Sequence, residues 1–228
     1  MANYINEFSY RFTLNPATTA LVVIDMQNAT GSLDHGLAKY LKAQGRLEES
    51  RYRFERINRA VIPNTQKLLA YFRAVGAPVI YVTYGSERAD YSDVARHIRD
   101  IVMATNNKAG EPEHEIVAAL QPQPGEPVVN KTTIGAFAST PIDQYLRTSG
   151  ISEIVVTGVS TNNCVGMTAM EAADKGYGVV LVSDATGTCS DKMQNAFEEM
   201  FLRLWGRVLS TDETLSELKA HTPAQAAQ

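Results

Sequence analysis

An acid, an amine and a thiol each stand just behind a short apolar run of this 228-residue chain. Asp25 follows Leu21-Val-Val-Ile24, Lys131 follows Pro127-Val-Val-Asn130, and Cys164 closes Thr157-Gly-Val-Ser-Thr-Asn-Asn-Cys164. Singly, each has an ordinary explanation: an Asp after a strand caps a turn, a Lys is solvated, and a Cys behaves as a small buried hydrophobe. Together they share a chemistry. A thiol with the usual pKa near 8.5 is only about 3% thiolate at pH 7. A helix N-terminus and a neighbouring ammonium both favour the anion, so Cys164 at a helix start beside Lys131 is expected to be a more acidic thiol than usual. Asp25 is suited to accept that proton and pass it to a leaving group. Backbone N–H groups in the turn before Cys164 are suited to hold an oxyanion, an effect worth about 3–4 kcal/mol per donor.

Residues this far apart meet only if the elements carrying them share one edge. The apolar runs read as buried strands: Leu21–Ile24, Pro78–Val82, Pro127–Val129, Glu153–Thr157, Gly178–Val182 and Arg207–Leu209. Helical spacing lies between them. It appears over Ile57–Val75, where Pro63 marks a kink or a helix start and Gly76 a C-cap, and again from Ser139 to Arg147. It continues from Asn162 or Asn163 to Gly176, from Asp191 to Leu204, and beyond Thr211-Asp212. The alternation predicts an α/β fold: a single three-layer α/β/α domain around a six-stranded, mainly parallel sheet. In such sheets the ligand crevice lies outside the carboxyl ends of the strands, where Asp25, Lys131 and Cys164 fall. The domain is expected over 17–220, with an N-terminal arm at 1–16 and a C-terminal tail at 221–228.

Composition narrows the classes. Hydrophobic residues make up 44% and the net charge is −4, so a real core is available and nothing favours nucleic acid or an anionic membrane surface. No apolar run reaches the roughly 18 residues of a membrane span, and the first ten residues lack the basic and apolar regions of a secretory signal. With two cysteines, a reducing cytoplasm is the expected setting. His35, His97, His114 and His221 have no ligand spacing, so neither a metal nor another cofactor is expected.

These motifs resemble the isochorismatase-like cysteine hydrolase superfamily over roughly residues 17 to 210. The likeness rests on Leu21-Val-Val-Ile-Asp-Met-Gln27, on Lys131 with Gly135-Ala-Phe137, and on Val156 to Cys164 continuing as Thr168-Ala-Met-Glu-Ala-Ala-Asp-Lys-Gly176. The resemblance implies a catalytic triad of Asp25, Lys131 and Cys164. It also implies a cis peptide between Val159 and Ser160, and an oxyanion hole from the Ser160 and Cys164 N–H groups. Isochorismatases proper generally lack the cysteine. Nicotinamidases carry an Asp-x-His metal motif after the second strand, where Tyr81–Arg88 has no histidine. What remains is the metal-independent branch acting on small amides and ureides, through a thioester and with release of ammonia. Ether or ester hydrolysis on the same scaffold stays open, as does an idle binding or assembly member.

For the substrate pocket, Gln27, Asn28, Phe137 and Thr161 are the candidates. The mixed stretch from Asn28 to Glu55 reads as a lid or partner contact, and a homodimer or homotetramer is expected. Cys189 also follows a strand; it reads first as a plain buried bystander thiol, with a place at the border of the site as the alternative.

Overall fold

Strands whose every residue is buried need cover on both faces, and Thr19–Ile24, Val79–Tyr84 and Glu153–Val159 are of this kind. The computed structural model describes residues 4–221. In chain order it runs β1 (Thr19–Ile24), α1 (Asn28–Gly31), α2 (Gly36–Ala43), α3 (Arg51–Arg56), α4 (Ile62–Ala74), β2 (Val79–Tyr84), α5 (Arg96–Ala104) and β3 (Val128–Lys131). It continues with α6 (Ile142–Thr148), β4 (Glu153–Val159), α7 (Gly166–Asp174), β5 (Gly178–Gly187), α8 (Asp191–Phe201), β6 (Arg207–Leu209) and α9 (Thr211–Ala220). The sheet order is β3-β2-β1-β4-β5-β6, and every neighbouring pair is parallel.

Alternate strand residues sort to opposite layers. Leu21, Val23, Val155, Val180 and Val182 pack with Leu68, Phe72 and Leu218 on the α4/α9 side. Val22, Ile24, Val156, Val179 and Leu181 pack with Ile142, Ala169, Ala172 and Phe197 on the α6/α7/α8 side. The period of two along each strand builds both cores.

The chain is helical from Arg51 to Ala74, but not uniformly. Pro63 offers no N–H to the carbonyl four residues back, and a π-helical turn over Ile57–Val61 leads into α4, with Pro63 in its first turn. A second π turn, Thr161–Val165, precedes α7 and carries Cys164. The excursion between β2 and β3 holds a helix not expected from the sequence, α5, which buries Ile98 and Val102. The stretch from Asn28 to Glu55 forms α1, α2 and most of α3, with Ala38 and Phe54 in the core.

Two residues of the expected N-terminal arm are built into the domain. Leu14 is fully buried, with its N–H donating to Glu217 Oε1 at 2.8 Å, and the Phe12 ring lies under the Arg207 guanidinium at 5.2 Å. Beyond His221, the expected tail lies outside the described residues, as do residues 1–3.

Candidate active site

β1, β3 and β4 bring Asp25, Lys131 and Cys164 to one place. Parallel registry sets Ile24 beside Val82 on one side and Gly158 on the other, and Tyr84 beside Lys131. β2 therefore lies between the strands carrying Asp25 and Lys131, and Tyr84 fills the gap. Lys131 Nζ passes over the Tyr84 ring, 4.8 Å from its centroid, to donate to Asp25 Oδ2 at 2.9 Å and to the Thr133 carbonyl at 3.3 Å. Asp25 has a φ of +53°, uncommon for a side-chain-bearing residue, and turns the chain sharply off β1. Gly158 has a φ of +112°, and a Cβ there would stand 1.9 Å from the Ile24 carbonyl oxygen. Only glycine lets β4 approach β1 this closely. One residue further on, the Val159–Ser160 peptide bond is cis.

Lys131 is 0% exposed and Asp25 1%. Asp25 Oδ1 is buried and takes no hydrogen bond of normal geometry. Burial, the largest influence, raises the Asp25 pKa above the ordinary carboxylate range, while Lys131 and the Cys164 thiol pull it back. Burial opposes charge on Lys131 as well, but the neighbouring Asp25 and Cys164 more than offset it, and its pKa rises. Burial pushes the Cys164 thiol up to about 12; the charge of Asp25 adds to this and Lys131 opposes it. The sequence-based expectation of an acidified thiol is therefore corrected, because desolvation outweighs Lys131 and any helix dipole. The resting form is the thiol, and a thiolate needs a base at hand.

Asp25, Cys164 and Ser160 line one cavity of about 140 Å3, together with Thr30, Arg53, Tyr84 and an apolar wall including Leu37, Ile98, Ile134 and Val159. This is well below the roughly 300–1,000 Å3 of pockets for drug-sized ligands. Arg53 and Tyr84 were missed in the sequence. Tyr84 lies just beyond the expected end of its strand. Arg53 stands four residues before Ile57 and eight before Val61, so it falls on the apolar stripe of its helix; a charge on that stripe is the signal that marks it.

The four expected pocket residues do not line this cavity. Gln27 is fully buried elsewhere: its Oε1 accepts from the Tyr84 N–H at 2.9 Å, and its Nε2 donates to the His114 carbonyl at 2.8 Å and faces Asn107 Oδ1 at 3.3 Å. It braces β1 to β2 and to the excursion. Asn28 caps the Pro112 carbonyl through Nδ2 at 2.8 Å. Phe137 packs on Tyr177 at 6.1 Å and beneath Lys175. Thr161 is buried, its hydroxyl donating to Gln194 Oε1 at 2.7 Å. Cys189 is not the buried thiol expected: it is exposed, 3.1 Å from Met193 Sδ, and stands in a surface groove that shares Arg53, Ser160 and Asn163 with the cavity, as the alternative reading had it.

The isochorismatase domain family matches residues 19–213. The chain belongs to the isochorismatase family. Among curated relatives in this family, the ureidoacrylate amidohydrolase RutB of Pseudomonas savastanoi pv. phaseolicola is 34% identical, over 76% of this chain and 72% of that protein. The crystal structure of a cysteine hydrolase from Pseudomonas syringae pv. phaseolicola has the same fold, with a TM-score of 0.76 at 23% identity, covering 97% of this chain and all of that one (100%). That of N-carbamoylsarcosine amidase from Thermoplasma acidophilum aligns with a TM-score of 0.65 at 26% identity, over 86% of this chain and 97% of that one. As an isochorismatase-family member the chain is a hydrolase. Among the described residues no helix is long and apolar enough to cross a membrane.

Proposed function

We propose that this protein is a cysteine amidohydrolase that cleaves the C–N bond of a small amide or ureide through a thioester and releases ammonia. The observation that carries the reading is the sealed Asp25–Lys131 pair, whose Asp25 lines one small cavity with Cys164. A carboxylate whose pKa is raised by burial holds a proton more readily than a free one, so it is suited to take the thiol proton and pass it on. The amidohydrolases among the relatives support the same chemistry.

The steps follow from those groups. Asp25 takes the proton from Cys164 Sγ as the sulfur attacks the carbonyl carbon, and a C–S bond forms. The oxyanion rests on the N–H groups of Ser160 and Cys164. The C–N bond then breaks, and the proton on Asp25 moves to the leaving nitrogen, giving ammonia and a thioester. Water enters, Asp25 takes one of its protons, and the resulting hydroxide attacks the thioester carbon. The C–S bond breaks, the acid or carbamate leaves, and Asp25 returns its proton to the sulfur. Throughout, Lys131 holds the charge on Asp25 and on the transient thiolate. The unpaired thiols of Cys164 and Cys189 suit a reducing cytoplasm, and a homodimer or homotetramer is part of the same reading.

The test is a panel of small amides and ureides assayed for ammonia, with intact mass read for an acyl adduct on Cys164. Ammonia release that survives Cys164→Ala, or turnover confined to vinyl ethers, overturns the reading.

A further inference from the structure

A cation sealed from water needs partners on more than one side, and Lys131 has an aromatic face on one of them. Its ammonium donates to Asp25 Oδ2 at 2.9 Å and to the Thr133 carbonyl at 3.3 Å, and stands 4.8 Å from the centroid of the Tyr84 ring. Lys108, Arg147, Lys175 and Arg207 also stand over rings, but at 5.2 to 5.7 Å and with 28 to 57% of their side-chain surface in water. A cation gains far more from a ring face when both are dry. Lys131 and Tyr84 are both buried, so theirs is the dry contact.

The ring is also held in place. Parallel registry sets Tyr84 beside Lys131. The Tyr84 N–H donates to Gln27 Oε1 at 2.9 Å, and its carbonyl accepts from Asn107 Nδ2 at 2.7 Å. Gln27 and Asn107 are themselves fully buried, so two sealed side-chain amides fix the backbone from which the ring projects.

What the ring does follows from the alternative open to the ion pair. A proton that leaves Nζ and joins Oδ2 across their hydrogen bond turns ammonium and carboxylate into amine and carboxylic acid. No proton is gained or lost, and two buried charges vanish, which burial favours. In that neutral form Asp25 already holds a proton and cannot take one from Cys164. The ring face opposes the transfer, because it attracts the ammonium far more than the amine. The other titratable groups around the pair are the Cys164 thiol, which acts on both members, Arg53, which acts on Asp25, and Glu171 of α7, which acts on Lys131. Burial pushes the Tyr84 hydroxyl up, so the ring itself stays neutral.

We propose that Tyr84 is a positioning residue for the reaction: its ring face holds the Lys131 ammonium charged and in place against Asp25, and so keeps Asp25 free to take the thiol proton. This rests on the amidohydrolase reading, but it can be tested apart from it.

Iodoacetamide alkylates a thiol without any amide being hydrolysed: the C–S bond forms, iodide leaves, and the thiol proton passes to the nearby base. The rate at Cys164 is read by peptide mass, which separates it from Cys189. Tyr84→Leu is expected to slow it about tenfold or more, and Tyr84→Phe, which keeps the ring, to run about fivefold or more faster than Tyr84→Leu. Phenylalanine analogues with one, two and three ring fluorines at position 84 keep the shape and drain the ring face of charge, so they decide if Tyr84→Leu does not fold. Along that series alkylation at pH 7 is expected to slow stepwise, about fivefold or more overall. The pH at which Lys131 loses its proton, followed by carbon NMR of labelled lysine and assigned with Lys131→Arg, is expected to fall by about one unit or more. A flat series in either readout, or a Tyr84→Phe protein as slow as Tyr84→Leu, overturns the proposal. The ammonia assay separates it from the reaction. Amide hydrolysis with a flat series overturns the role of the ring and leaves the reaction standing. A graded series with no amide or ureide hydrolysed has the opposite meaning: the reaction fails and the role of the ring survives.

Discussion

At the carboxyl edge of the sheet Lys131 meets Asp25 at 2.9 Å, with both side chains sealed from water. At the amino edge Arg73 grips Glu126 through bonds of 2.7 and 2.8 Å, with both side chains partly exposed. Burial works against both carboxylates, yet they move in opposite directions. Glu126 ends below the ordinary range, because Arg73 and the Gln123 N–H together outweigh burial. Asp25 ends above it, because its deeper burial outweighs the Lys131 ammonium and the Cys164 thiol that oppose it. The Glu126 pair fixes its charges and stabilises the chain. In the proposed reaction the raised pKa of the Asp25 pair serves proton transfer, which a purely structural ion pair does not need.

The comparison breaks most visibly at the sulfur. Cys164→Ala is expected to lower kcat/KM by about 10^4-fold or more with the fold intact, since no other group in the cavity can form the thioester. Circular dichroism and ammonia release check both halves. Asp25→Asn comes next, with a loss of about 10^3-fold from the missing proton acceptor. It also leaves Lys131 buried without its counter-ion, so a fall in Tm accompanies the loss of rate. A variant that loses Tm but keeps its rate would put Asp25 in the same class as Glu126.

The strands were legible because burial on both faces leaves near-continuous Val and Ile runs, and the meeting of Asp25, Lys131 and Cys164 was legible because these residues follow those runs directly. The pocket was not. Gln27 is only two residues from Asp25, but the left-handed turn at Asp25 redirects the chain and Gln27 goes under the sheet edge to brace Tyr84. Phe137 and Thr161 sit beside motif residues in sequence yet face Tyr177 and Gln194. Arg53 lies in Arg51-Tyr-Arg-Phe-Glu-Arg56, where Arg51 is exposed in ion pairs with Glu48 and Glu55. Composition cannot separate the two; only helical phase, carried backwards from Ile57 and Val61, turns Arg53 inward. α5 was obscured for a related reason, since its two buried residues, Ile98 and Val102, cover a small satellite cluster away from the main core.

A smaller effect sharpens the contrast through pH. The raised pKa of Asp25 favours its protonated, inactive form as pH falls, so the acid limb of kcat/KM is expected above the ordinary aspartate value of about 3.9. A profile of ammonia release against pH reads this directly. A limb at or below that value would mean that Asp25 is held ionised, as Glu126 is.

The smallest expected effect belongs to Glu126→Gln. The pair is less than a quarter exposed and bidentate, so its loss costs about 1–2 kcal/mol, or roughly 2–8 °C in Tm for a domain of this size, with kcat/KM within twofold of wild type. The sign follows from the lowered pKa. A carboxylate held below its unfolded value contributes stability that is present above the unfolded pKa, near 4.3, and is lost as pH falls through the folded value. The Tm gap between wild type and variant should therefore be open at pH 7 and narrow steadily below about pH 4. For Asp25 the linkage has the opposite sign. Its raised pKa favours the folded state below the unfolded aspartate value, and that contribution is lost as pH rises through the folded one. Thermal melts of the two variants thus move in opposite directions relative to wild type, Glu126→Gln below about pH 4 and Asp25→Asn above it, with each direction set by whether its carboxylate's partners outweigh burial.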